Sequence, residues 1–218
     1  MRELIERYVR ELVKIPSTSN TETEKSCADY IAEELAKQPY FKEYPEQTGK
    51  YLLPEDSFGR SVPWGLVKGR NGSRKTIILT GHYDVVDTEE YGNERALAYD
   101  VEKWENLVKS GNALPGMPEE VKEDFLSGEW MFGRGTADMK GGLSVGLALL
   151  DWYGKLVVEA ERKDCGTAAF ETKTASGTEE TPEISGNLLF VTVPDEEGYS
   201  AGMRGAVPFL NDLNWLIV

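Results

Sequence analysis

Apolar residues recur at helical spacing from the start of the chain. Leu4, Ile5, Tyr8, Val9, Leu12 and Val13 form one stripe, which predicts a helix over residues 3–14. Pro16 and the polar run Ser17-Thr18-Ser19-Asn20 end it. Thr21 and Glu24 have the spacing of a capping box and predict a second helix to about Lys37, with Ile31 and Leu35 inward and Pro39 closing it. The pattern then changes. Residues 61–68 read as a strand followed by an Asn71-Gly72 turn. Thr76-Ile77-Ile78-Leu79-Thr80 and Leu188-Leu189-Phe190-Val191-Thr192-Val193 are apolar runs without alternation, the pattern of strands buried on both faces. Residues 129–132 read as a short strand, 141–153 as an apolar helix, and 200–213 as a last helix with Gly202 and Pro208 as weak points.

Two polar stretches interrupt this order. Residues 88–128 read as an acidic insert carrying helices at 101–109 and 119–126. Residues 171–185, rich in Thr, Glu and Ser, read as a mobile loop. Strands alternate with helices, so the expected class is α/β: a mostly parallel, mixed sheet covered by helices on both faces. In such sheets ligands gather at the carboxyl ends of the strands.

Composition narrows the chemistry. The chain has 218 residues, 38 acidic and 24 basic, for a net charge of −14. That balance argues against a nucleic-acid or anionic-membrane surface, because both call for clustered Lys and Arg. No apolar run is long enough to span a bilayer and no leader is visible, so a cytoplasmic protein is the expectation. The two cysteines, Cys27 and Cys165, exclude a disulfide framework. The one histidine, His82, excludes any site needing two imidazoles from this chain. A metal bound here must lean on carboxylates.

Three clusters could hold one. Gly81-His82-Tyr83-Asp84 follows a predicted strand, and a carboxylate two residues past an imidazole can take its second ring N–H and fix the tautomer; a His–Asp pair kept for structure reads equally well. Gly133-Arg134-Gly135-Thr136-Ala137-Asp138-Met139-Lys140-Gly141-Gly142 lets backbone approach a site closely, though Asp138 alone would also suit a helix N-cap. Asp195-Glu196-Glu197-Gly198 ends a buried strand with three adjacent carboxylates, whose repulsion must be offset by water or by a cation.

In that order, G-H-x-D, G-R-G-x-x-D-x-K-G-G and D-E-E-G resemble the zinc-dependent exopeptidase and aminoacylase superfamily, and most closely its arginine-utilisation RocB branch. The resemblance covers nearly the whole chain. It implies two zinc ions, with Co2+ or Mn2+ as alternatives, sharing a bridging carboxylate. Carried over, His82 and Glu197 each bind one metal, Asp138 bridges both, Glu196 is the general base and acid, and Asp84 orients His82. It also implies a cis peptide at Asp138-Met139. The substrate would be a small peptide or N-acyl amino acid, and the parent protein a homodimer. Each metal needs a further protein ligand that this chain lacks, and the family's lid or dimerisation domain is missing. Residues 1–218 are therefore expected to be the N-terminal portion of one catalytic metallohydrolase domain, inactive alone. Two alternatives stay open: a non-catalytic relative that binds a peptide or partner, and a mononuclear or carboxylate-based hydrolase.

Overall fold

A computed structural model describes residues 1–70, 72–110, 116–164, 184–212 and 216–217. The helices are α1 (Arg2–Val13), α2 (Thr23–Lys37), α3 (Pro39–Glu43), α4 (Val101–Lys109), α5 (Glu119–Ser127), α6 (Lys140–Asp164) and α7 (Ala201–Asp212). The strands are β1 (Thr48–Leu52), β2 (Ser61–Val67), β3 (Lys75–His82), β4 (Asn187–Val193) and β5 (Leu216–Ile217). They form one mixed sheet in the order β1-β2-β4-β3-β5. The β1/β2 and β2/β4 pairs are antiparallel, whereas β4/β3 and β3/β5 are parallel.

Helices cover both faces. On one side Leu12, Ile31, Leu35, Leu147 and Leu150 bury against Val67 and Phe190. On the other, Ala206 and Met203 of α7 join Leu53, Val62, Leu66, Leu189 and Val191. Phe190 and Leu189 thus point to opposite faces, as strand pleating requires, and β4 is buried on both sides as its unbroken apolar run predicts. Burying one such leucine or phenylalanine contributes about 1.5–3 kcal/mol. Strand β3 departs from the prediction. Ile77 is 61% exposed, in an open cavity that it lines together with Leu149, Trp152 and Tyr153 of α6.

Other differences have local causes. α3 and β1 lack the apolar periodicity that would reveal them: one is a five-residue helix started by Pro39, the other the half-exposed edge strand Thr48–Leu52. Residues 129–132 form no strand; Met131 packs on the Val9–Val13–Val101 cluster and Phe132 on Trp104 and Phe125 instead. α6 runs past Tyr153 because Val157, Val158 and Ala160 extend its buried face. The capping box does not form. α2 starts at Thr23, and Glu24 turns inward, accepting the Asn20 N–H at 2.6 Å. Within the acidic insert, Leu97, Trp104 and Phe125 make a small apolar cluster of their own. Asn71, Cys165 and all but the last two residues of the 171–185 stretch lie outside the described residues; Ile184, at its end, is buried. No described helix is long and apolar enough to cross a membrane.

The fit between α6 and β4 can be tested at one atom. A Cβ on Gly146 would lie 2.8 Å from Cε2 of the buried Phe190 ring. Gly-to-Ala in an open helix gains roughly 1 kcal/mol, but overpacking a dense core costs about 1–3 kcal/mol. Gly146→Ala should therefore lower the urea midpoint, with a net loss of about 1 kcal/mol; an unchanged or raised midpoint would show that the ring moves aside freely.

Candidate metal centre

Parallel pairing of β3 with β4 sets His82 beside Val193, so the chain leaves both strands at the same edge of the sheet. His82 closes one strand, and the turn beginning at Pro194 follows the other. The third contributor arrives from the loop before α6. There Gly135 has φ +84, and a Cβ on it would meet Val85 Cγ1 at 2.8 Å, so only glycine lets the loop close on the strand end. The Asp138-Met139 peptide that follows is cis. Lys140, fully buried, donates from Nζ to the carbonyls of Leu12 at 3.0 Å and Ile15 at 2.6 Å. This ties the loop to the end of α1 and satisfies carbonyls that a helix terminus leaves open. Burial holds the Lys140 ammonium below the ordinary lysine range.

These elements bring His82, Asp138 and Glu197 together, with one ligand atom from each lying within 4.8 Å of the others. Nε2 of His82 is 3.0 Å from Asp138 Oδ1 and 3.8 Å from Glu196 Oε2. Nδ1 lies 2.9 Å from the carbonyl oxygen of Asp84. A carbonyl can only accept, so Nδ1 carries a proton, and in the neutral ring the lone pair sits on Nε2, facing the carboxylates. Burial would lower the pKa of this imidazole, but the Asp84 and Asp138 carboxylates outweigh it and raise it to about 9. Glu197 is pushed above the usual carboxylate range, first by burial and then by the charge of Asp138. A positive charge is thus favoured between Nε2 and the two acids, and one imidazole nitrogen with carboxylate oxygens is a donor set that suits a divalent metal. Asp138 and Glu196 remain accessible, their side chains 75% and 54% exposed.

Asp84 does more than its spacing suggests. Its carboxylate stands 3.5 Å from His82 Nδ1, so the backbone carbonyl, not the side chain, is the nearer acceptor. The carboxylate instead accepts N–H groups from Glu196 at 3.0 Å and Glu197 at 3.1 Å, and the Ser19 hydroxyl at 2.6 Å. Burial opposes its charge, but these bonds and His82 hold its pKa below the usual range. Ser19 is placed by the segment of residues 17–19 running parallel to 83–85, with Val85 N–H donating to Ser17 O at 2.9 Å and Ser19 N–H to Val85 O at 3.0 Å. Nothing in the sequence marks Ser19 or Arg60 as neighbours of this centre; each reaches it from a distant part of the chain, whereas Lys140 lies in the same motif as Asp138. Glu24 carried only a capping expectation.

No protein-family model matches the chain. Two curated relatives from Bacillus subtilis (strain 168) align along almost all of it. RocB is 31% identical over 211 residues, covering 97% of this chain and 32% of RocB. YqjN is 36% identical over 203 residues, covering 93% of this chain and 31% of YqjN. The chain thus spans about a third of the length of the curated relatives it matches. Human carnosine dipeptidase 1 superposes with a TM-score of 0.51 at 15% identity, over 97% of this chain and 36% of that one. LapB from Legionella pneumophila gives 0.51 at 11% identity, over 100% of this chain and 41% of that one. At such identity the two structures speak for the fold alone. The chain is thus similar to RocB and YqjN along nearly its whole length, and its mixed sheet shares its fold with carnosine dipeptidase 1 and LapB.

Proposed function

We propose that the chain carries the metal-binding and proton-transferring residues of a dinuclear zinc hydrolase that cleaves an amide or peptide bond. The substrate class is a small peptide or N-acyl amino acid, in amino-acid catabolism. The observation that carries this reading is the convergence of His82, Asp138 and Glu197 beside the accessible Glu196. His82 and Glu197 would each hold one ion, with Asp138 shared; Co2+ and Mn2+ suit the same donors. When bound, such a pair polarises an amide carbonyl and acidifies water. Glu196 then takes a proton from the attacking water and returns it to the departing amine nitrogen. Asp84 keeps Glu196 and Glu197 aimed by holding their N–H groups, while its carbonyl keeps the Nε2 lone pair of His82 outward. The products are a carboxylate and a free amine.

The donor count sets the affinity. Each ion would draw on two described protein donors, where zinc sites use three or four, so zinc should bind this chain weakly. Calorimetric titration that finds two equivalents bound tightly would overturn that expectation. Because His82 holds its proton to about 9 without metal, zinc uptake near neutral pH should release about one proton per His82 bound. Titrations in buffers of different ionisation enthalpy read this directly, and buffer-independent heats would count against His82 as a ligand. The same shift has a sign for the metal-free chain: stabilisation by charged His82 is complete below its ordinary value of 6.5 and lost as pH rises through about 9.

Glu196→Gln separates the base from the ligands. In any form of the protein that turns over a dipeptide or N-acyl amino acid, it should lower kcat by roughly 10²–10⁴-fold with zinc content unchanged. Retention of more than about a tenth of the activity would favour a carboxylate-based or mononuclear route.

A further inference from the structure

Arg60 lies directly before β2, away in sequence from all three clusters. Carried past the Trp64↔Val191 pair, the antiparallel register of β2 and β4 sets Arg60 opposite Asp195, the first residue of the acidic turn. The side chains of Arg60, Glu24, Asp56 and Asp195 are each more than nine-tenths buried. Asp56 holds the guanidinium with Nε at 2.9 Å and Nη2 at 2.7 Å, and takes the Arg60 backbone N–H at 2.7 Å. Nη1 lies 3.3 Å from both oxygens of Glu24 and 3.5 Å from Oδ1 of Asp195. That Oδ1 has no hydrogen-bond partner, so Arg60 is the cation that faces it.

Asp195 is the hinge pin of the turn. It adopts φ +62, in the left-handed region that a non-glycine residue enters only when its surroundings hold it there. Its carbonyl accepts the Ser200 N–H at 2.6 Å, and Oδ2 accepts the Ala201 N–H at 2.9 Å, closing the loop onto the start of α7. Glu196 and Glu197 leave the chain between these two closures.

We propose that Arg60 is a positioning residue for this centre: anchored by Asp56 and Glu24, its guanidinium fixes Asp195 and so sets the backbone from which Glu196 and Glu197 project. The assignment rests on the functional reading of those two glutamates but concerns a different part of the molecule. Charge is why an arginine stands here. One guanidinium presents a planar fork to three carboxylates, which a lysine ammonium cannot match. Three acids still exceed one cation, and the surplus falls on Glu24, whose pKa burial lifts to about 7 despite Arg60. Glu24 therefore anchors the guanidinium from the α2 side while carrying only part of a charge at neutral pH.

Amide hydrogen exchange by NMR on the 218-residue chain, with zinc titration alongside, tests this. Arg60→Met should speed exchange at the Glu196, Glu197 and Ala201 amides by about tenfold or more, leaving Phe190 and Val191 of β4 unchanged. It should weaken zinc binding by about 10–100-fold, as loss of a support behind a ligand does. Arg60→Lys should recover part of both, since it keeps the charge without the fork. Unchanged exchange at those three amides in folded Arg60→Met overturns the proposal. So does a loss of protection spread evenly over the sheet, which is what a merely structural role would produce. If Arg60→Met fails to fold, Asp195→Asn carries the same test, because it removes the charge that the guanidinium faces while keeping an amide oxygen that can accept the Ala201 N–H; the same three amides must loosen. Absence of zinc binding by the unaltered chain would sink the metal reading of Glu197 and leave the exchange result standing, so the two failures are told apart.

Discussion

The buried carboxylate of Asp84 is the interaction on which the centre depends. It sits at the end of β3 and accepts the backbone N–H groups of two successive residues that follow β4. Antiparallel pairing of β4 with β2 ends at Val191, and parallel pairing with β3 ends at Val193. Beyond that point the acidic turn has to be held by something other than a strand. An ionised carboxylate with two N–H donors and one hydroxyl is a strong enough clasp to do it. The same residue's carbonyl fixes the His82 tautomer, so one residue sets the orientation of both halves of the site.

Around this clasp the electrostatics are unbalanced by design of the sequence. Asp84, Asp138, Glu196 and Glu197 crowd one imidazole, while Glu24, Asp56 and Asp195 crowd one guanidinium. The inner group is open to solvent through Asp138 and Glu196; the outer group is closed. Closed, it is satisfied by Arg60, by the backbone N–H groups of Asn20 and Ala201, and by partial protonation of Glu24. Open, the inner group can recruit a proton onto His82 or an external cation. The two clusters share the turn at residues 195–197, which is how the permanent cation comes to support the site of the exchangeable one.

How far the sequence could be read follows from what each pattern encodes. Leu188–Val193 was legible as a doubly buried strand because a continuous apolar run admits few other readings, and β4 is buried on both faces. The analogous run at Thr76–Thr80 led to an over-estimate, since an apolar side chain does not secure close packing by itself: Ile77 borders an open cavity beside α6. Edge strand β1 and the short α3 were invisible: β1 is half exposed, and α3, though it buries Tyr40 and Phe41, is too short to show a period. Within the site, His82, Asp138, Glu196 and Glu197 were nameable because glycines and carboxylates stand at fixed offsets around them. Ser19 and Arg60 carry no such local mark.

The sequence by itself determined the inventory: one imidazole, carboxylates at the ends of apolar runs, glycines where backbone must come close, and an α/β order of elements. Those are properties of short segments, set by periodicity and side-chain chemistry. Only the tertiary structure decided which carboxylate faces which cation. Glu24 had the spacing of a cap and became a counter-ion to Arg60; Asp84 had the spacing of an imidazole partner and became mainly an acceptor for the acidic turn. Hydrogen bonds and ion pairs act over a few ångströms in space, and pairing between residues far apart in the chain is set by strand register and helix packing, which no local pattern records.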